Sequence, residues 1–128
     1  MLKYGSKYIT SWEEGKHVDL WSLNHIVFGI IIGALFSLKY FSFEKGLIIS
    51  VVIFLTWEFL EYLFNIREHL SNKTWDVITG LIGFCGGYYL VYVNPKNNII
   101  SLIITSFIFT VLEILGFLTF LKKKSDKK

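Results

Sequence analysis

Four long stretches without a charged residue constrain this chain more than any other feature. Residues 20–38, 46–57, 77–95 and 97–112 contain no Asp, Glu, Lys or Arg. A helix needs about 20 mostly apolar residues to cross the hydrocarbon core of a bilayer. We therefore predict membrane-spanning helices near residues 20–40, 45–66, 75–93 and 98–121. The second and fourth of these reach full length only by including the acidic residues Glu58, Glu61 and Glu113.

The composition indicates an integral membrane protein and excludes several other classes. Of the 128 residues, 53% are hydrophobic and only 18% are charged, whereas soluble domains carry about 25% charged residues. The single cysteine, Cys85, cannot form a disulfide within the chain. The apolar runs are continuous and too long for strands. The predicted fold is thus an all-α, transmembrane four-helix bundle that forms one domain over residues 1–128.

Short connections and the distribution of Lys and Arg predict the topology. Only a few residues separate successive spans, and short connections make successive helices antiparallel neighbours in up-down order. Ten Lys and Arg residues fall on the side that holds both termini, and three fall on the other side. Positive residues favour the cytoplasmic side of a membrane. We expect a multi-pass protein of the cell membrane with both termini in the cytoplasm.

The two ends of the chain carry basic residues. Residues 1–18 lack the apolar core of a signal peptide. We expect them to form a cytoplasmic segment, either as a helix on the inner leaflet with Tyr4, Tyr8 and Trp12 on one face, or as a partly ordered tail. Residues 122–128 are predicted to be a basic cytoplasmic tail held to membrane lipids by charge. Nucleic-acid binding would need a larger basic surface, so we expect none.

Ionisable residues in the predicted spans lead to the main functional hypothesis. A carboxylate at the middle of a membrane costs roughly 2.5–3.5 kcal/mol on insertion scales. This chain nevertheless carries such residues within its spans or at their ends, namely His25, Glu58, Glu61, Asp76 and Glu113. All lie in the predicted cytoplasmic half, and Arg67 follows the second span closely. We predict that they converge in one polar site open to the cytoplasmic leaflet.

Helical periodicity places these residues on faces that are rich in small side chains. At about 100° per residue, His25 shares a face with Gly29 and Gly33, and Asp76 shares one with Gly83 and Gly87. Small residues let membrane helices approach closely, so we expect these glycines to pack between helices. On the second span, provided that its helix continues far enough, one arc holds Glu58, Glu61, Asn65, Glu68 and His69.

Purely structural roles stay open for each of these residues. His25 alone is equally well explained as a buried imidazole bonded to a neighbouring carbonyl or hydroxyl. Asp76 would cap the third helix if that helix begins there. Glu113 would serve as a lone protonated packing residue. Two carboxylates one turn apart, Glu58 and Glu61, are harder to explain by packing alone.

Several functions fit a cluster of His and carboxylate side chains. A divalent metal such as Zn, Fe or Mn is a candidate cofactor, although the chain lacks the Glu-x-x-His pairs of di-iron bundles. General acid–base catalysis on a lipid-linked substrate is a second interpretation. Intramembrane Glu residues are also typical of proton carriers, and a transporter of this size would act as a homo-oligomer. The last interpretation is a membrane module that binds a partner or a lipid without catalysis.

Part of the chain resembles the VanZ-like family of small polytopic membrane proteins. The matching residues are Glu58-Phe-Leu-Glu61, then Arg67, then Asp76-x-x-x-Gly80-x-x-Gly83-x-x-x-Gly87. The family pattern is roughly Glu-x-x-Gln, an Arg six residues later, and Asp-x-x-x-Asn-x-x-Gly-x-x-x-Gly. Upstream, Asp19 and His25 resemble the Asp-Lys and His of the family. The resemblance covers roughly residues 19–90.

The chain departs from the family pattern at polar positions. Glu61 replaces the Gln, Gly80 replaces the Asn, and Leu20 stands where the family has Lys. The interval from Arg67 to Asp76 is also longer. The family's activity is therefore not carried over with the fold.

The resemblance implies a polytopic bundle in the cell membrane and a role for Glu58, Arg67 and Asp76. Some members of the family are linked to glycopeptide-antibiotic resistance, but the resemblance supplies no reaction. The expected ligand is a lipid-linked or other cell-envelope molecule. The candidate catalytic residues are His25, Glu58 and Glu61, and the candidate substrate-binding residues are Arg67, Asp76 and Glu113.

Overall fold

A computed structural model describes residues 19–39, 41–64, 69–94, 96 and 98–125, with side chains up to Thr119. It contains the helices α1 (Leu20–Leu38), α2 (Phe43–Leu63), α3 (Leu70–Val93) and α4 (Asn98–Ser125). The predicted all-α fold of four helices is confirmed. Each helix provides a segment that is long and apolar enough to cross a membrane, which in α4 is Asn98–Thr119.

Side chains at the helix ends satisfy backbone groups that would otherwise lack partners. Asp19 caps α1, since its Oδ1 accepts hydrogen bonds from the backbone N–H groups of Trp21 (2.9 Å) and Ser22 (3.1 Å). The Ser22 hydroxyl in turn accepts the N–H of Asp19, which completes a capping box. His69 caps α3 by accepting the N–H of Ser71 through Nδ1, at 3.2 Å.

The third helix begins at Leu70, earlier than the start near residue 75 that the sequence predicts. The predicted spans leave the polar segment 70–74 in a connection, but it forms the first turns of α3. Because the helix begins at Leu70, Asp76 lies inside it and does not cap it. The capping interpretation of Asp76 is therefore wrong.

Glycines join α1 and α3 into the central pair of the bundle. A Cβ atom added to Gly29 or Gly33 would overlap backbone atoms of α3, and one added to Gly83 or Gly87 would overlap the carbonyl oxygens of Ile26 or Ile30 on α1. The two backbones are thus in direct contact over about two turns. The predicted role of these glycines in helix packing is confirmed.

Aromatic side chains fill the space between α2 and this central pair. The rings of Phe54 and Phe84 are completely buried, and Phe54 lies against Gly80 where no side chain projects. His25 on α1 lies near Glu58 on α2, whereas Phe36, further along α1, faces Gly46 near the start of α2. The contacts run in opposite order along the two helices, as antiparallel neighbours require.

The fourth helix is the least enclosed. Only 6% of its membrane-spanning window is buried within the protein, against 44% of that of α1. Its contacts with the bundle are made mainly to α1. Most of its apolar side chains therefore face outward, where a bilayer would supply hydrocarbon.

Candidate functional site

A cavity of about 300 Å³ lies between α1, α2 and α4. It adjoins the first turns of α1 and the last turns of α2, so it is close to one end of the bundle. Its lining combines aromatic and polar side chains, namely Trp21, Asn24, His25, Phe28, Trp57, Glu61, Phe109 and Glu113. Three of the six predicted site residues, His25, Glu61 and Glu113, thus meet at one cavity.

His25 is held between α1 and α2. Its Nδ1 donates a hydrogen bond to the carbonyl oxygen of Trp21, one turn earlier, at 2.8 Å. Its Nε2 lies 3.6 Å from Oε1 of Glu58. Both residues are buried, with 7% and 8% of their surfaces exposed. Both ring nitrogens therefore face protein groups, and His25 is better placed to orient its neighbours than to attack a ligand.

The two carboxylates of α2 have different surroundings. Glu58 is buried beside His25, whereas Glu61 lines the cavity and is partly exposed. The indole Nε1 of Trp57 donates a hydrogen bond of 2.7 Å to Oε1 of Glu61. This bond between residues one turn apart fixes one oxygen of the Glu61 carboxylate beside the indole ring. Glu61 is thus the α2 carboxylate that a ligand in the cavity would meet.

A hydrogen bond between α1 and α4 places the third carboxylate. Nδ2 of Asn24 donates to Oε1 of Glu113. Asn24 is only 3% exposed, and its side-chain oxygen has no hydrogen-bond partner among the described residues. A buried amide oxygen without a partner is costly. A ligand in the cavity could therefore donate a hydrogen bond to Oδ1 of Asn24.

Asp76 belongs to a separate buried network between α1 and α3. The Ser22 hydroxyl donates to Oδ1 of Asp76 at 2.5 Å, and Nδ2 of Asn72 donates to Oδ2 at 3.2 Å. Asp76 is 1% exposed and is not among the residues that line the cavity. Because Ser22 also belongs to the cap of α1, the network ties the start of that helix to α3. The described residues thus divide the predicted cluster into a cavity and a supporting network.

Arg67 lies outside the described residues, as do 1–18 and 126–128, so their predicted positions stay predictions. The arc proposed on the second span is wrong at His69, because α2 ends at Leu63 and His69 caps α3.

A metal centre finds no support in the described part of the chain. Within the ranges that the structure describes, no group of three or more His, Cys, Asp and Glu side chains is arranged to hold a metal ion. His25 and Glu58 are close, but Asp76 is bonded to Ser22 and Asn72 instead. The divalent-metal hypothesis therefore gains nothing from this geometry.

Two cavity residues that donate hydrogen bonds to its carboxylates are missing from the sequence predictions. Asn24 is an amide inside a charge-free run, and Trp57 lies four residues before Glu61. Each had a detectable signal, because a polar residue in a span needs a partner and residues four apart on a helix can bond. The partner of Asn24, however, lies 89 positions away on α4, and only the fold brings the two residues together.

The chain matches no family model, no curated protein and no solved structure. Its resemblance to VanZ-like proteins is therefore neither supported nor contradicted.

Proposed function

We propose that this chain is a VanZ-like membrane protein whose cavity binds a lipid-linked or other cell-envelope molecule from the cytoplasmic leaflet. The observation that carries the proposal is a cavity lined by both aromatic and carboxylate side chains within a bundle of membrane-spanning helices. Ligand sites commonly combine apolar walls with a few convergent polar groups. A purely structural bundle has no need of such a cavity.

The depth of the cavity favours a lipid headgroup. Trp21 is the second residue of α1, and Glu61 lies two residues before the end of α2. At 1.5 Å per residue, these positions are within about 3 Å of the helix ends. Phe28 lies about 12 Å from the start of α1. With the helix ends at the level of the headgroups, the cavity would extend from that level toward the acyl chains, and tryptophans are common at that boundary.

The residues have distinct proposed roles. Glu61 and Glu113 contact the polar part of the ligand, since both line the cavity. His25 and Glu58 support that wall, and Asp76 holds α1 against α3. Arg67 is proposed to contact a phosphate or carboxylate group of the ligand. If the ligand is transformed, Glu61 is the best-placed general acid or base, because it faces the cavity.

The test is lipid binding by the full chain in nanodiscs. Lipids that purify with the protein are identified by mass spectrometry, and the same species are then titrated into wild type, Glu61→Gln and Glu44→Gln. Glu44 is an exposed residue in the first turn of α2 and provides a matched control. We expect one lipid class to bind saturably and Glu61→Gln alone to weaken it. Equal binding by all three proteins would contradict the proposal.

Proton-coupled transport is the second candidate function. The observation in its favour is the pair of His25 and Glu58, which lies inside membrane-spanning segments. Such residues often mark proton pathways. The test is proton flux into proteoliposomes with a pH gradient, with Glu58→Gln as the variant and Glu44→Gln as the control. Flux that is absent, or unchanged in Glu58→Gln, would remove this candidate and leave binding without transport.

A further inference from the structure

The chemistry of the cavity wall indicates which part of a lipid headgroup it receives, an inference that rests on the proposed function and narrows it. Aromatic rings surround the cavity, and they are close to one another. The ring centroids of Phe28 and Phe109 are 5.2 Å apart with nearly parallel planes, and those of Phe28 and Trp57 are 6.5 Å apart. Aromatic faces attract cations, and Trp attracts them best.

The charged groups that line the cavity also favour a cationic ligand. Among the described residues, the side chains that line the cavity include the carboxyl groups of Glu61 and Glu113 and no Lys or Arg. His25 is the remaining ionisable group, and its Nδ1 is bonded to a carbonyl while its Nε2 faces Glu58. A cationic group in the cavity would meet carboxylates and rings, whereas an anionic group would meet carboxylates without a lining cation.

The amide of Asn24 distinguishes between kinds of cation. It lines the cavity and is nine-tenths buried, and its Oδ1 has no hydrogen-bond partner among the described residues, while its Nδ2 is taken by Glu113. An oxygen of this kind accepts hydrogen bonds and cannot donate them. A primary ammonium has three N–H donors to offer such an acceptor, whereas a quaternary ammonium has none.

We propose that the cavity binds a primary ammonium group carried by a lipid headgroup, with the aminoethyl phosphate type as the simplest example. The ammonium would lie between Glu61, Glu113 and the oxygen of Asn24, with its methylene groups against Trp57 and Phe28. The phosphate would then face the end of the bundle. A cavity of about 300 Å³ has room for a group of this size.

A series of lipids with identical acyl chains tests the proposal. Phosphatidylethanolamine, its N-methyl and N,N-dimethyl derivatives, phosphatidylcholine and phosphatidylglycerol are titrated into the full chain in detergent, and binding is measured by native mass spectrometry. We expect affinity to fall stepwise as N–H groups are replaced by methyl groups. The first lipid should bind about tenfold more tightly than the last two, as expected when one charge-assisted hydrogen bond is lost.

Three variants test whether phosphatidylethanolamine binds in the cavity. Glu113→Gln retains an acceptor for Asn24 but loses the charge, so phosphatidylethanolamine should bind about tenfold more weakly. Trp57→Leu removes a ring and should weaken binding roughly threefold or more, whereas Trp57→Phe should retain most of it. Glu44→Gln serves as the control and should bind like wild type.

The outcomes separate this inference from the proposed function. Phosphatidylglycerol that binds as tightly as phosphatidylethanolamine, with loss of binding in Glu61→Gln, would overturn the ammonium inference and leave the proposed function in place. Absence of saturable binding by every lipid and by free ethanolamine would overturn both. Binding of free ethanolamine is measured as well. Saturable binding of ethanolamine without binding of any lipid would overturn the lipid source of the ammonium, and displacement of bound phosphatidylethanolamine by ethanolamine would support the proposal.

Discussion

Nε2 of His25 and Oε1 of Glu58 lie 3.6 Å apart between α1 and α2. Because Nδ1 of His25 donates to the carbonyl oxygen of Trp21, a neutral imidazole carries its proton on Nδ1 and can only accept at Nε2. At this distance the two atoms form an ion-pair contact rather than a hydrogen bond, and the carboxyl group of Glu58 is a polar group that faces Nε2. We therefore expect the buried Nε2 to depend on a polar side chain at position 58.

Two substitutions of Glu58 test this requirement. Glu58→Gln supplies an amide donor to Nε2 and should leave stability nearly unchanged. Glu58→Leu replaces the polar group that faces this buried nitrogen with an apolar one and should lower the free energy of unfolding by about 1–3 kcal/mol. The measurement is unfolding in mixed detergent, followed by circular dichroism, with Glu44→Leu as the exposed control. A Glu58→Leu variant as stable as wild type would contradict this account of the pair.

The contact between α1 and α3 predicts the effect of adding a single methyl group. Gly83→Ala and Gly33→Ala place a Cβ on backbone atoms of the partner helix, and overpacking of this kind costs about 1–3 kcal/mol or more. Gly86 is the matched control on α3, since a Cβ added there meets no atom within 4 Å. Gly86→Ala should be neutral or slightly stabilising, because Ala favours helices over Gly. Thermal unfolding in detergent distinguishes the variants, and equal midpoints would show that the two backbones are not in contact.

The buried network of Asp76 predicts a cost for losing one hydroxyl. Ser22→Ala removes the donor to Oδ1 of Asp76 and also breaks the capping box of α1. We expect a loss of about 1–3 kcal/mol in unfolding free energy. Ser101→Ala, at an exposed position of α4, provides the control. A double variant Ser22→Ala with Asp76→Leu that loses less stability than the sum of the two single variants would support the pairing, and an unaffected Ser22→Ala variant would refute it.

The predicted orientation is tested by chemical labelling. In a Cys85→Ala background, Lys39→Cys places a thiol at the exposed end of α1, and Lys128→Cys places one at the end of the chain. If both termini are cytoplasmic, a membrane-impermeant maleimide added to whole cells should modify position 39 only. Position 128 should react after the membrane is permeabilised. The reverse pattern would show that the distribution of Lys and Arg does not determine the topology of this protein.

Sequence reasoning locates the helices well because the features that define them are local. Charge-free runs mark all four helices, and the Gly-x-x-x-Gly spacings at Gly29 and Gly83 identify the faces that pack together. Sequence reasoning fails at the start of α3, because polar residues 70–74 resemble a loop and the cap at His69 has no apolar run directly after it. The local sequence pattern thus explains both the four correctly predicted helices and the misplaced start of α3.

The candidate site is less predictable because its partners are distant in the chain. The sequence predicts that His25, Glu61 and Glu113 converge, and all three line the cavity. Asp76 shares the general depth of these residues, but it faces Ser22 rather than the cavity. Periodicity gives the face of one helix at a time, and the rotation of each helix against its neighbours decides which polar groups meet.

The sparse contacts of α4 have a consequence for how a ligand with long acyl chains would reach the carboxylates. Phe109 and Glu113 form one wall of the cavity, and the outward side of that same helix faces hydrocarbon. Among the described residues, α4 is thus the helix that separates this wall of the cavity from the surroundings of the bundle. Movement of α4 away from α1 would break the Asn24–Glu113 hydrogen bond and leave the glycine contacts between α1 and α3 in place. We therefore expect lateral access to the cavity to depend on the contacts of α4 and not on those between α1 and α3.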